Sequence, residues 1–143
     1  MKTIETAIDI DAPPETVWEI VSDFARYGEW NPFMTIADEA AKEGDRLHVT
    51  IRPPNRKGIS LKPTVTTFEP GHSLRWLGHL VVPGIFDGAH ELTVEPRDGG
   101  SRFLQRETFK GVLIPFTGGM LRDTAAGFEA MNNALKDRAE TRA

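Results

Sequence analysis

The sequence contains no cysteine, which excludes disulfide bonds, thiol nucleophiles and zinc–thiolate sites. It has no apolar run near the roughly 18 residues that a membrane-spanning helix needs. The segment from Met1 to Glu5 lacks the apolar core of a signal peptide. The net charge is −4 and the basic residues are scattered, so no nucleic-acid-binding surface is indicated. We therefore expect a cytoplasmic protein that neither inserts into a membrane nor binds nucleic acid.

Two further absences concern cofactors. His48, His72 and His79 do not form a metal-binding spacing such as His-Glu-x-x-His. The Thr117-Gly118-Gly119 segment at a helix start has no P-loop lysine, so a loose first turn is favoured over a phosphate cradle. We expect neither a metal nor a cofactor.

What the chain does have is an ordinary globular composition. Hydrophobic residues make up 39% and charged residues 27% of its 143 positions. It contains no internal repeat, low-complexity stretch or linker. These features predict a single domain over residues 1–143, large enough for a core and a modest internal cavity.

The C-terminal stretch is the longest amphipathic segment. Pro115 suits the first turn of a helix, where a missing N–H costs nothing. The predicted helix runs from about Pro115 to Arg138 and needs a large apolar surface to lie on. Its apolar positions fall on one arc of a helical wheel; they are Phe116, Met120, Leu121, Thr124, Gly127, Phe128, Met131 and Leu135.

The preceding residues alternate between apolar and polar side chains, which is typical of strands. Pro14 and the Ser22–Gly28 segment predict two short helices after the first strand. Pro63 suggests an edge or a bulge within its strand. The predicted strands lie at 3–11, about 34–40, around 47–51, 59–69, 73–82, 86–95 and 101–112, with a hairpin loop at 97–100. The order predicts an α+β helix-grip fold: a strongly curved antiparallel sheet of six to seven strands around the long helix.

Three segments resemble one superfamily. The Ile8-to-Trp18 segment reads Ile-x-Ile-x-Ala-Pro-Pro-Glu-x-Val-Trp, and the segment from Asp23 to Pro32 reads Asp-x-x-x-Tyr-x-x-Trp-Asn-Pro. With the Gly-Gly-Ser-Arg-Phe run from Gly99 to Phe103, they resemble the START-like, polyketide cyclase/dehydrase and lipid-transport superfamily, which includes the birch-pollen-allergen-like proteins. The resemblance spans the chain. It implies a cavity between sheet and helix, but not one activity, because the superfamily holds lipid carriers, hormone receptors, ring-closing enzymes and chaperone activators.

The polar side chains that face this cavity follow from strand alternation. In the sixth strand, inward Leu92 and Val94 bring His90, Gly88 and Phe86 to the same face. In the seventh, the register with Phe103, Gln105, Glu107 and Phe109 inward is favoured, because the alternative buries Arg102 and Arg106. The fifth strand stays open between Leu74, Trp76 and Leu80 on one face and Leu77, His79 and Val81 on the other.

His90 and Glu107 are the candidate acid–base pair. The carboxylate can hold one imidazole tautomer and leave the other nitrogen to move a proton on a bound molecule. The alternative is that neighbours satisfy both groups, or that the pair only orients a ligand.

Other candidates have two interpretations each. Trp30 either stacks on a ligand or plugs one end of the sheet, and Trp76 is core or cavity wall. A glycine inside a helix costs about 1 kcal/mol against alanine, so Gly127 needs a reason. It either lets a strand approach the helix closely or leaves room for a ligand. The full set of candidate ligand-binding residues is Trp30, Trp76, Phe86, His90, Phe103, Gln105, Glu107, Phe109, Met120, Thr124, Gly127, Phe128 and Met131.

The leading functional hypothesis is a binding protein for a small hydrophobic, aromatic or lipid-like molecule. The alternatives are a cyclase/dehydratase-like enzyme that uses His90 and Glu107, and an interaction module of the chaperone-activator type. The proline in an edge strand argues mildly against edge-to-edge pairing, so we expect a monomer or a weak homodimer.

Overall fold

The computed structural model describes residues 1–80, 82–114 and 117–142, and within them the chain forms eight strands, two α-helices and one 3₁₀ helix. The helices are α1 (Pro14–Ser22), the 3₁₀ helix (Phe24–Glu29) and α2 (Gly118–Arg142). The strands are β1 (Lys2–Ile10), β2 (Met34–Ile36), β3 (Val49–Ile51), β4 (Ile59–Leu61), β5 (Thr64–Glu69), β6 (Ser73–Leu80), β7 (Phe86–Arg97) and β8 (Gly100–Lys110). This is the predicted α+β class with a long C-terminal helix and two short helices after the first strand.

The strands divide into two antiparallel sheets. One has the order β1-β8-β7-β6-β5 and the other β2-β3-β4, and an isolated bridge pairs Arg46, in the segment before β3, with Thr64 of β5. The sequence predicted one strand over 59–69, but the structure ends β4 at Leu61 and starts β5 at Thr64 in the other sheet. Pro63 lies between them, and its missing N–H interrupts the ladder at that point.

A tight turn sets the register of β7 and β8. Asp98 and Gly99 have φ values of 45° and 82°, the positive values that a type I′ hairpin turn requires. The turn pairs Arg97 with Gly100, and the ladder that follows places His90 directly opposite Glu107. The hairpin predicted at 97–100 is confirmed.

The inward face of the large sheet is the one that the sequence favours. Leu92, Val94, Phe103, Gln105 and Phe109 are all buried. The two arginines of the rejected register face outward, where Arg102 pairs with Asp9 and Arg106 with Glu5. In β6 the structure selects Leu74 and Trp76 as the buried pair. Val81 and the Leu80 side chain, which the two alternatives also involved, lie outside the described part of the chain.

Helix α2 packs its apolar arc against the large sheet and α1. Its buried residues are Leu121, Thr124, Gly127, Phe128, Met131, Asn132, Leu135 and Ala139. The helix begins at Gly118 and extends to Arg142, four residues beyond the predicted end. Pro115 and Phe116, with which the prediction began, lie outside the described residues.

Gly127 packs against an aromatic ring. A Cβ atom added there would lie 2.3 Å from Cδ1 of Phe33, the residue before β2. Phe33 in turn packs edge-on against Phe128, with ring centroids 5.5 Å apart. Of the two interpretations of Gly127, the structure therefore has close approach, and the space above the glycine is filled by this chain's own phenylalanine.

Tyr27, the chain's single tyrosine, is fully buried and donates a hydrogen bond to the Val21 carbonyl. Burial, reinforced by the Asp23 carboxylate, raises the pKa of the hydroxyl far above its usual value. Because the pKa is raised in the folded state, the stabilisation from the protonated hydroxyl is fully present below the unfolded-state pKa of about 10. It is lost as the pH rises above that value.

We expect the ultraviolet absorbance of tyrosinate to stay absent above that pH for as long as the protein remains folded, and to appear together with unfolding. Alkaline titration monitored by absorbance and near-ultraviolet circular dichroism measures both transitions. A tyrosinate signal that precedes unfolding would contradict the buried position. The Tyr27→Phe variant has no phenol to ionise. Its free energy of unfolding should therefore fall less between neutral and alkaline pH than that of the wild type.

Candidate functional site

An apolar cleft opens between the start of α2, the ends of β7 and β8, and the small sheet. Its volume is about 280 Å³. A smaller recess of about 50 Å³, which extends toward Trp76 and Gly88, shares several of its walls, among them Glu107. The cleft is lined by Ile51, Pro53, Arg56, Lys57, Ile59, Leu61, Phe86, Glu107, Phe109, Met120 and Thr124.

Local structure explains why these side chains converge. Ile51 and Ile59 are paired across β3 and β4, so both can face the cleft from one edge of the small sheet. The loop between these strands reaches α2, where Arg56 Nε lies 2.6 Å from an Asp123 carboxylate oxygen. Residues 54–58 of this loop are exposed, and the loop forms one side of the cleft.

Glu107 supplies the carboxylate of the cleft. Its side chain is 12% exposed, and its Oε1 lies 3.3 Å from Nδ1 of His90. A Cβ atom added at Gly88 would lie 2.4 Å from Oε2 of Glu107, so the missing side chain makes room for the carboxyl group. Strand alternation predicted His90, Gly88 and Glu107 on the inward face of the sheet, and the structure places the three residues together.

His90 lies beneath the cleft wall with its ring held on two sides. The ring centroids of Trp76 and Phe128 lie 5.2 and 5.0 Å from that of the imidazole. His90 Nε2 lies 2.9 Å from Oε1 of Gln105. Nδ1 is buried without a hydrogen bond, because its 3.3 Å approach to Glu107 falls outside hydrogen-bonding geometry. The ring therefore has little freedom to turn away from Glu107.

A chain of hydrogen bonds runs from His90 through the buried amides of Gln105 and Asn132 to Thr6 of β1. Gln105 Nε2 donates to Asn132 Oδ1 at 2.9 Å and to the Phe128 carbonyl at 3.5 Å. Asn132 Nδ2 donates to the Thr6 hydroxyl at 2.9 Å, and that hydroxyl donates to the Gln105 carbonyl at 3.3 Å. Sequence reasoning missed Asn132 and Thr6. The available signal was a polar Asn132 between the apolar positions Phe128, Met131 and Leu135.

The predicted ligand-binding residues are distributed over several environments. Phe86, Glu107, Phe109, Met120 and Thr124 line the cleft, and Trp76 lines the adjoining recess. His90 and Gln105 lie just beneath. The remaining residues lie away from the cleft: Phe103, Phe128 and Met131 are fully buried core residues, and Gly127 contacts Phe33.

Trp30 lies elsewhere. Its ring packs edge-on against Tyr27 at 5.2 Å and borders a polar surface groove near the C-terminal end of α2. This groove is also lined by Asp23, Arg26, Asp137 and Arg138, and so contains charges of both signs. Sequence reasoning missed other cleft residues, chiefly Ile51, Ile59 and Leu61 of the small sheet. The available signal was the alternation of Leu47, Val49 and Ile51.

Residues 1–80, 82–114 and 117–142 contain neither a metal-binding cluster nor a membrane-spanning helix. No group of three or more histidine, aspartate or glutamate side chains is placed to hold a metal ion in this part of the chain. None of the described helices is long and apolar enough to cross a membrane.

Comparison with known proteins identifies the family. Residues 1–140 match the family described as polyketide cyclase / dehydrase and lipid transport. The chain belongs to this family. No functionally curated protein matches the sequence.

Solved structures share this helix-grip architecture. The Zhui aromatase/cyclase from Streptomyces sp. R1128 aligns with a TM-score of 0.80 at 14% identity, over 99% of this chain and 94% of its own. Ara h 8.0201 aligns with a TM-score of 0.71 at 15% identity, over 98% of each chain. Protein MLL2253 from Mesorhizobium loti is 22% identical, with a TM-score of 0.67 over 96% of this chain and 98% of its own. At these identities the likeness shows a shared fold.

Proposed function

We propose that this protein binds a small hydrophobic molecule, aromatic or lipid-like, in the cleft between the sheets and α2. The observation that carries the proposal is the cleft itself: its walls are mainly isoleucine, leucine, phenylalanine and methionine, and the Glu107 side chain, 12% exposed, lies among them. Membership of a family that includes lipid-transport proteins supports the same assignment.

The dimensions of the cleft restrict the ligand. Ligand pockets commonly measure about 300–1,000 Å³, and at about 280 Å³ this one is at the small end. It suits a molecule of one or two rings, or a short alkyl chain, better than a long-chain lipid. Arg56 and Lys57 lie at the exposed side of the cleft, so the body of the ligand contacts the apolar walls.

Filling the cleft should weaken binding. Met120 lines both the cleft and the recess, so we expect Met120→Trp to weaken the binding of naphthalene by at least about tenfold, equivalent to about 1.4 kcal/mol. The control Met120→Leu conserves volume and should bind within about threefold of the wild type.

Saturation-transfer NMR and thermal-shift titration with naphthalene measure both variants. Absence of naphthalene binding to the wild type, or equal binding by Met120→Trp, would count against the proposed function.

A second candidate is acid–base catalysis, which the proximity of His90 and Glu107 favours. A carboxylate at the cleft with an imidazole behind it is suited to take a proton from a carbon next to a carbonyl and return it. Deuterium exchange at that carbon of 2-tetralone in heavy water, followed by NMR, tests this. Exchange accelerated by the wild type and lost in His90→Ala would favour the enzyme, whereas no acceleration would leave binding alone.

A further inference from the structure

We propose that the cleft selects molecules that carry a hydroxyl group, an alcohol or a phenol, and that this group donates a hydrogen bond to Oε2 of Glu107. This inference rests on the proposed function and names the ligand class of the same site. Its basis is the polarity of the cleft and the direction of the hydrogen bonds behind it.

Most of the other polar side chains at the cleft are already engaged. The Thr124 hydroxyl donates to the Met120 carbonyl at 2.9 Å. Arg56 pairs with Asp123, and His79 in the recess lies 2.7 Å from Asp87. Lys57 is exposed to solvent. Within the described part of the chain, this leaves Glu107 as the polar group that a molecule inside the cleft meets.

The hydrogen bonds behind Glu107 have a defined direction. The Phe128 carbonyl can only accept, so the Gln105 amide nitrogen is the atom that faces it. Gln105 Oε1 then faces His90 Nε2, which must carry a proton to donate to it. In the neutral imidazole this tautomer leaves Nδ1, the nitrogen toward Glu107, without a proton.

The 3.3 Å contact between His90 Nδ1 and Oε1 of Glu107 lacks hydrogen-bond geometry, so His90 does not satisfy the carboxylate. Oε1 faces the imidazole, and Oε2 is the other oxygen of the group. A carboxylate oxygen accepts hydrogen bonds and has no proton to donate, so the partner that Oε2 lacks is a donor.

Oε2 lies over Gly88, whose missing side chain leaves space beside it, and Glu107 lines both the cleft and the recess. Among the described residues, the polar contact of Glu107 is the one between Oε1 and His90. The Glu107 side chain is 12% exposed, so solvent reaches it while the cleft is empty. An apolar molecule that fills the cleft displaces this solvent and leaves the carboxylate without a partner, whereas a hydroxyl group supplies a donor in its place. The cleft thus discriminates by a donor group as well as by shape.

The test compares 2-naphthol with 2-methylnaphthalene, which replaces the hydroxyl by a methyl group of similar size. Hydrophobicity alone favours the methyl compound, so the sign of the preference is informative. We expect the wild type to bind 2-naphthol about 10- to 100-fold more tightly, as a hydrogen bond to a charged group provides. Isothermal titration calorimetry and ligand-observed NMR measure both dissociation constants.

Variants locate the contact. In Glu107→Met the preference should fall to within about threefold while 2-methylnaphthalene still binds. Glu5→Met removes an exposed carboxylate on β1, away from the cleft, and should keep the full preference. Gly88→Ala displaces Oε2 and should reduce the preference, which provides a second variant if Glu107→Met does not fold.

The outcomes separate the two proposals. Equal binding of the two compounds by the wild type, tighter binding of 2-methylnaphthalene, or a preference that survives in Glu107→Met overturns the hydroxyl assignment and leaves the proposed function standing. Failure of naphthalene and both derivatives to bind overturns the proposed function itself.

Discussion

Gln105→Leu should lower the free energy of unfolding by about 3–5 kcal/mol, because it leaves several buried polar groups without partners at once. Gln105 is fully buried and connects His90 to Asn132. Without its amide, His90 Nε2 and Asn132 Oδ1 lose their hydrogen bonds inside the core. Each unsatisfied group costs about 1–3 kcal/mol, and leucine offers neither a donor nor an acceptor.

The control for this prediction is Thr6→Val, at the far end of the same chain of hydrogen bonds. Thr6 is only partly buried, so its hydroxyl partners can reach water and the loss should be nearer 1 kcal/mol. Urea unfolding followed by circular dichroism gives both values. A loss below about 1 kcal/mol for Gln105→Leu would show that the buried amides do not act as a connected network.

Gly127→Ala should destabilise the protein by about 2–3 kcal/mol, although alanine is the better helix former. The added Cβ would lie 2.3 Å from the Phe33 ring, which is 1% exposed. Phe33 cannot easily move, because its N–H donates to Asn31 Oδ1 at 2.9 Å and its carbonyl accepts from the Arg52 N–H at 2.7 Å. The overpacking therefore has no simple relief.

Two companion variants test this explanation. Gly118→Ala, at the start of the same helix, has no atom within 4 Å of the added Cβ and should not destabilise the protein. The double variant Gly127→Ala/Phe33→Leu should show a favourable coupling of about 1 kcal/mol or more, since the smaller side chain relieves the clash. Additive effects in the double-mutant cycle would mean that Phe33 is not the residue that excludes a side chain at position 127.

Local patterns predicted the parts of the fold that depend on them. The Asp98-Gly99 turn and the alternation of β7 and β8 are encoded in neighbouring residues, and the cost of burying Arg102 and Arg106 selected the correct register. The turn and the inward phase of both strands together place Glu107 opposite His90. These local patterns were sufficient to predict the pair.

The features that were not predicted depend on contacts distant in sequence. The division of the 59–69 strand at Pro63 depends on which sheet each half joins. The contribution of Ile51 and Ile59 to the cleft depends on how the small sheet meets α2, and the role of Asn132 depends on Thr6, which is 126 positions away. Alternation assigns a side chain to a face, but it does not say what lies opposite that face.

The most direct test of the cleft as a binding site uses the four methionines as reporters. Met120 lines the cleft, Met34 and Met131 are fully buried in the core, and Met1 is exposed at the N-terminus. In a ¹³C-methyl-methionine NMR spectrum titrated with 2-naphthol, we predict a saturable shift of the Met120 signal, with ring protons of the ligand close to that methyl group. The Met1 signal should not move. Saturable binding that leaves Met120 unchanged, or shifts confined to Met1, would contradict a ligand site between the sheets and α2.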